Sequence, residues 1–287
     1  MTAILITGAT GNVGRELTKR AIDRGVMVRA GVRNLETAQA LFVGRNVTMA
    51  NFDFYSPQSY QDALAGVKKI FLVAPPGDPN KIDKIVANFI DEALQQGCEH
   101  ITFCSARAAA HIDRPLSMHK IEHYLEDADC SYTILRPSWF MQNFNTMLAN
   151  SIKRANAIHL PCGDAKCSFI DVRDIADIAL KTLLETGHNG KVYTLSGPEA
   201  LSFAEVAEHI SGVAGRKIRY VDIPADAFVD GMQQRGMPEG GARFLAYLFD
   251  LLKQGTEAEV LPDAKIVLER ELISFDRYAQ DYASVWA

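Results

Sequence analysis

Ile4-Leu5-Ile6-Thr7-Gly8-Ala9-Thr10-Gly11-Asn12-Val13-Gly14 decides how the rest of the chain is read. The apolar run Ala3 to Ile6 has the character of a parallel strand buried on both faces. It stops at Thr7-Gly8, and glycines follow at even spacing at 8, 11 and 14. Arg15 to Arg24 then carries Leu17, Ala21 and Ile22 at helical spacing. Strand, glycine turn and helix together form the opening of a dinucleotide-binding unit, here spaced G-x-x-G-x-x-G rather than G-x-G-x-x-G. Gly8 permits the tight turn, Gly11 lets the backbone approach a pyrophosphate, and Gly14 lets the helix pack against the strand. The helix start then offers free N–H groups and a positive dipole end to the phosphates.

Working outward, Val26 to Val32 reads as the second strand and ends at Arg33-Asn34. An NAD site places an acid near this tip to bond the ribose 2′-hydroxyl, whereas an NADP site offers arginine. Arg33 with no acid beside it predicts NADP(H). Val47 to Phe52 is the third strand, and at its tip the Asp53 carboxylate can accept from an adenine amino group while the Phe54 ring can flank the base. Ile70 to Ala74 is the fourth strand, stopped by Pro75-Pro76-Gly77. Ile82 to Gln96 is an amphipathic helix, His100 to Cys104 a fifth strand ending at Ser105, Leu116 to Leu125 a helix, and Tyr132 to Leu135 a sixth strand ending at Arg136-Pro137.

Strands alternating with helices predict an α/β fold, a Rossmann-type doubly wound parallel sheet whose ligands bind beyond the carboxyl ends of its strands. Residues 1–150 form the expected NADP-binding domain, and 151–287 a smaller, mostly helical lobe that covers the substrate and interleaves with the sheet. In that second part Phe140 to Ile152 reads as a helix, Asp171 leads into a helix running to Leu184, and Val192 to Leu195 and Ile218 to Val221 read as strands. Ser202 and Glu205 form a capping box, Ala225 to Gln254 is helical with a break at Gly236 to Gly241, and Phe275 to Trp286 reads as a closing helix.

The 287 residues carry a net charge of −5 and no basic run, which argues against a nucleic-acid partner. No apolar stretch reaches the roughly 18 residues of a membrane span. The first residues enter a strand at once, leaving no room for a signal peptide, so a cytoplasmic protein is expected, as monomer or homodimer with a small-molecule substrate. Five cysteines without C-x-x-C spacing suit neither a disulfide framework nor a zinc site. His119-Lys120-Ile121-Glu122-His123 matches the inverted zinc-protease order, but within a dinucleotide scaffold it reads as two histidines on a helix surface, and no metal is expected.

Thr7 to Gly14, Arg33, Leu135-Arg136-Pro137-Ser138-Trp139-Phe140-Met141-Gln142-Asn143-Phe144 and Asp171-Val172-Arg173-Asp174-Ile175-Ala176 together resemble the NmrA-like family of atypical short-chain dehydrogenases/reductases, over essentially the whole chain. That family includes NADPH-dependent quinone, azo-dye and triphenylmethane-dye reductases, which implies hydride transfer from NADPH to a flat conjugated acceptor. It also includes regulators that bind NADP without known turnover, which makes an NADP(H)-sensing regulatory protein the alternative. The resemblance implies a cofactor site of Thr7, Gly8, Thr10, Gly11, Asn12, Val13 and Gly14, with Arg33 on the 2′-phosphate and Asp53 and Phe54 on adenine. It further implies that Val73, Ala74 and Pro75 run past the cofactor, that Ser105, in the usual serine position, belongs to the cofactor site, that Lys120 lies near the ribose, and that Pro137, Ser138, Trp139 and Phe140 line the nicotinamide end. Phe140, Asn143 and Phe144 are the substrate residues it points to, and Lys120 the catalytic one. One departure stands out: short-chain dehydrogenases pair this lysine with a tyrosine four residues earlier as proton donor, and here that place holds Leu116.

Overall fold

The computed structural model describes residues 3–77, 81–111 and 117–287. In chain order its strands are β1 (Ala3–Ile6), β2 (Val28–Val32), β3 (Thr48–Asn51), β4 (Val67–Val73), β5 (His100–Cys104) and β6 (Ser131–Pro137). They continue with β7 (Ala157–Leu160), β8 (Lys166–Cys167), β9 (Lys191–Leu195), β10 (Leu201–Ser202) and β11 (Arg219–Asp222). The helices are α1 (Asn12–Asp23), α2 (Leu35–Leu41), α3 (Tyr60–Leu64), α4 (Ile82–Gln95), α5 (Ser117–Asp127), α6 (Ala149–Ala155) and α7 (Val172–Leu184). After them come α8 (Phe203–Ala214), α9 (Ala225–Gln234), α10 (Glu239–Lys253), α11 (Asp263–Leu268), α12 (Phe275–Asp281) and α13 (Ala283–Trp286). Two compact units emerge, one of Met1–Pro137 with Val172–Thr194, the other of Ser138–Asp171 with Leu195–Ala287.

The first unit is built on a seven-stranded sheet in the order β3-β2-β1-β4-β5-β6-β9, with β1 to β6 paired in parallel. The order reverses between β1 and β4, so the glycine turn after β1 opens at the switch point, where strand ends leave a crevice. Ile4, Leu5 and Ile6 are buried, as a strand covered on both faces must be. On one face α4 packs Phe89 edge-on against Phe52, Phe54 and Tyr60, with ring centroids 5.0, 5.2 and 5.2 Å away. Each such buried ring contributes about 1.5–3 kcal/mol. On the other face α1 lies along α7, and Arg20 Nε donates to the Asp177 carboxylate at 2.7 Å.

The second unit has a core of its own. Phe169 and Phe275 meet the Phe144 ring edge-on, with centroids 5.3 and 5.5 Å away. Fully buried Trp286 donates from its indole to the Phe144 carbonyl at 3.1 Å, fastening the end of the chain to this core. The predicted capping box is present: the Ser202 hydroxyl accepts from the Glu205 amide at 3.2 Å while the Glu205 carboxylate accepts from the Ser202 amide at 2.7 Å. Two small sheets, β10 with β8 and β11 with β7, complete the unit. The continuous helix expected from Phe140 to Ile152 is not formed. Trp139 to Met141 is instead held extended by Ile170, whose amide donates to the Trp139 carbonyl at 3.0 Å and whose carbonyl accepts from the Met141 amide at 2.9 Å. Only a 3₁₀ turn (Met141–Asn143) and the short α6 follow. The closing helix is likewise two pieces, α12 and α13. Among the described residues no helix is long and apolar enough to cross a membrane.

Candidate functional site

The glycine turn has the geometry its spacing predicts. Gly8 sits at φ +60°, and the Gly11 amide closes the turn onto the Gly8 carbonyl at 2.9 Å. A side chain at residue 14 would place its Cβ 2.3 Å from the Gly8 carbonyl oxygen, a distance that backbone cannot give way to, so only glycine fits. α1 begins at Asn12 with Gly11 as a cap that has no side chain to satisfy it and no acid in the first turn. Its first amides therefore have no partner within the helix, and they sit behind exposed Gly8, Thr10 and Gly11. Val13 and Gly14 are buried and Asn12 is half-buried. The Thr7 side chain is taken up within the sheet. It is fully buried, its hydroxyl accepts from the Val73 amide at 2.8 Å, and it faces the Phe71 carbonyl at 3.2 Å. It locks β1 to β4 and so aims the turn.

At the tip of β2, Arg33 is exposed and has no ion pair or hydrogen bond among the described residues. At the tip of β3, one Asp53 carboxylate oxygen accepts from the Tyr55 amide at 3.0 Å, which fixes its side chain. Phe54 departs from expectation: its ring is 6% exposed and belongs to the aromatic core under α4, with Phe52 at 4.7 Å, so the ring cannot flank a base. The exposed aromatic of this tip is Tyr55, whose hydroxyl reaches the Pro76 carbonyl at 3.1 Å across the end of β4. The residue was overlooked in the sequence, although an inward Phe52 and Phe54 require the next side chain to point away. Val73, Ala74 and Pro75 are half-buried beside it.

Beyond β5 and β6, Ser105 and Arg136 converge on a carboxylate that motif reading had set aside. Glu122 is 1% exposed; the Ser105 hydroxyl donates to it at 2.5 Å and Arg136 grips both its oxygens at 2.5–3.2 Å. These bonds hold the Arg136 guanidinium above its ordinary pKa. The Ser105 hydroxyl is thus committed to protein rather than left free for a ribose. In the same helix His119 and His123 bring their Nε2 atoms to 2.9 Å of each other, while Glu122 is taken up by Ser105 and Arg136. Lys120 is partly exposed, with its ammonium 3.4 Å from the Asp83 carboxylate at the start of α4; that carboxylate also accepts from the Ser117 hydroxyl at 3.0 Å. Leu116, the residue in the tyrosine place, lies outside the described residues.

Pro137 ends β6 and is buried. In the second unit, Ser138 is buried, with its amide on the Leu195 carbonyl at 2.8 Å and its hydroxyl 3.5 Å from the Cys167 sulfur. Trp139 stacks on Phe249 at 4.8 Å. Phe140 and Asn143 are half-buried, and Asn143 joins Trp139 in lining a small apolar cavity. Phe144 is 1% exposed in the aromatic core, which removes it from the residues able to lie on an open substrate surface. Gln142 donates to buried Asp171 at 2.9 Å, tying the segment after β6 to the Asp-Val-Arg-Asp motif. Cys162 and Cys167 are fully buried and form no disulfide, and burial pushes the Cys162 thiol far up, away from the character of a reactive thiolate.

Residues 1–279 match the NmrA-like family. The chain belongs to it. An NAD(P)H azoreductase of Xenophilus azovorans is 32% identical over 99% of each chain. The triphenylmethane reductase of Citrobacter sp., solved with NADP(H), superposes with a TM-score of 0.82 at 25% identity, over 98% of this chain and 99% of that one. An NADPH-dependent quinone oxidoreductase of Escherichia coli, solved with NADPH, gives a TM-score of 0.82 at 25% identity over 97% and 99%. The NmrA-like chain described here meets the demands of a dinucleotide on its own geometry. The residue-14 position leaves no room for a Cβ, the α1 amides stand uncapped, and Arg33 at the adjoining strand tip is a cation with no partner among the described residues.

Proposed function

We propose that this NmrA-like protein is an NADP(H)-dependent oxidoreductase that passes hydride to a flat, conjugated small molecule of the quinone, azo or triphenylmethane type. The observation that carries the reading is the uncapped amino end of α1 behind the glycine turn, with Arg33 free at the next strand tip. Unpartnered amides and a positive helix end suit a pyrophosphate, and a guanidinium suits a 2′-phosphate. NADPH, when bound, supplies the hydride.

The protein's own residues bind and orient. Thr7 fixes the turn against β4, Gly8 to Gly14 present amides, Arg33 selects the phosphorylated ribose, and the Asp53–Tyr55 tip receives the adenine end. Lys120, aimed by Asp83, holds ribose hydroxyls. Trp139, Phe140 and Asn143 offer an aromatic, half-buried surface to the acceptor. With leucine in the tyrosine place no side chain there donates a proton. An acceptor that spreads its gained charge by conjugation needs none in the same step and takes its proton afterwards from water. The test is steady-state consumption of NADPH and NADH with a panel of quinones and azo and triphenylmethane dyes. Saturable turnover preferring NADPH is expected; tight NADPH binding with no turnover on any acceptor would make the protein a sensor instead.

A further inference from the structure

The second unit contains a pocket of about 230 Å³ between the α6–β7 segment and α9. Met147, Leu148, Ile223, Ala227, Phe228 and Met232 give it an apolar lining. Its polar groups are few, Ser151, His159 and Arg235, with no acid among the lining residues. Arg235, the cap residue after α9, is exposed and has no ion pair among the described residues. The Ser151 hydroxyl spends its proton on the Ala157 carbonyl at 3.0 Å, so at 3.2 Å it accepts from His159 Nδ1–H. That fixes the imidazole and leaves Nε2 as an acceptor.

Gly231 gives the pocket a second, independent mark. It lies inside α9, where glycine costs about 1 kcal/mol relative to alanine. Its φ is not in the left-handed region, and a Cβ there would meet nothing within 4 Å. Neither backbone conformation nor packing accounts for the glycine, which stands among the residues that line the pocket. Met147 and Leu148 also line the neighbouring cavity of Trp139 and Asn143, so the pocket adjoins the segment already given to the acceptor.

We infer that this pocket seats the acceptor and selects compact, one- or two-ring aromatic molecules bearing a carboxylate or sulfonate, with the anion at Arg235 and the ring among Met147, Phe228 and Met232. The inference rests on the oxidoreductase reading for the word acceptor, but not for the binding. The pocket is smaller than the roughly 300–1,000 Å³ that holds drug-sized ligands, which disfavours the bulk of a triphenylmethane dye. An exposed arginine adds modest affinity and a preference for anions. The lining supplies most of the affinity by burying ring area.

The experiment is calorimetric titration of the full chain, without NADPH, using naphthoquinone sulfonate and its neutral counterpart menadione. The sulfonate is expected to bind roughly five- to tenfold more tightly, and Arg235→Gln to erase that margin while leaving menadione unchanged. Gly231→Leu should abolish binding of both. Gly231→Ala, which favours the helix, should raise the melting temperature while weakening both ligands, and so guards against misreading a misfolded variant. Equal affinity for the two probes, or binding that Gly231→Leu and Gly231→Ala leave intact in folded protein, would overturn the assignment. The same probes are then tried as acceptors with NADPH: binding that obeys these variants without NADPH consumption overturns the pocket as the seat of the acceptor, while the oxidoreductase reading fails only if no quinone or dye is turned over.

Discussion

The ammonium of Lys120 lies 3.4 Å from the carboxylate of Asp83, an acid on another helix. Ser117 holds the same carboxylate at 3.0 Å. Under the proposed function this lysine positions the cofactor. Lys120→Ala is expected to raise the apparent KM for NADPH, with kcat falling less than the ~10²–10⁴-fold that loss of a general acid or base costs. Asp83→Asn should raise the same KM by a smaller factor. Steady-state kinetics on both variants decide the matter: a collapse of kcat at saturating NADPH in Lys120→Ala would place the lysine in the chemistry itself.

Under the proposed function, Arg33 carries the choice of cofactor. Arg33→Asp removes a charge-assisted phosphate contact and adds repulsion, an expected loss of about 2–4 kcal/mol in NADPH binding, whereas NADH binding should change little or improve. Fluorescence titration with both nucleotides measures the difference. Unchanged NADPH affinity would remove Arg33 from the site.

Glu122 is a structural charge. Glu122→Ala leaves the Arg136 guanidinium without the partner that grips it twice and strips the Ser105 hydroxyl of its acceptor. The expected cost is about 3–5 kcal/mol, read by urea denaturation. Glu122→Gln, which keeps the shape and the acceptor oxygen, should cost less. A fully stable Glu122→Ala protein would show that the network does not hold β5, β6 and α5 together.

His100 makes the first unit acid-sensitive. Thr182 donates to the Ala179 carbonyl, so Thr102 donates to Thr182 and accepts from His100 Nε2–H; Nδ1 then accepts from Ser131 at 2.7 Å. The ring is neutral in the fold, and burial, with Lys69 and His188 nearby, lowers its pKa from 6.5 to about 4. The unfolded chain therefore binds the extra proton first, and stability falls as pH drops through that window, by up to roughly 3 kcal/mol. His100→Gln should flatten the dependence of melting temperature on pH between those values. An equally steep profile in the variant would assign the acid sensitivity to other groups.

Sequence periodicity located β1 to β6 because buried parallel strands are short apolar runs ended by turn residues, and it located the turn at Gly8 and the close approach at Gly14 because both follow from position in that pattern. It did not locate β7, whose four residues pair in parallel with distant β11, nor the break between Phe140 and Ile152, which comes from Ile170 across the fold. The misread aromatics have one cause. Phe54 and Phe144 occur in site-bearing segments, but burial is decided by partners such as Phe89 and Phe275 that no local window contains. Asp83 was invisible as the partner of Lys120 for the same reason.

Hydride transfer from NADPH is the centre of this account, and anaerobic mixing of the purified protein with NADPH and menadione tests it most directly. The account predicts that NADPH disappears in proportion to protein concentration, one equivalent for each quinone reduced, and that Arg33→Asp loses this at low NADPH. Nucleotide bound tightly, yet consumed no faster than in buffer with menadione or any other quinone or dye, would contradict it.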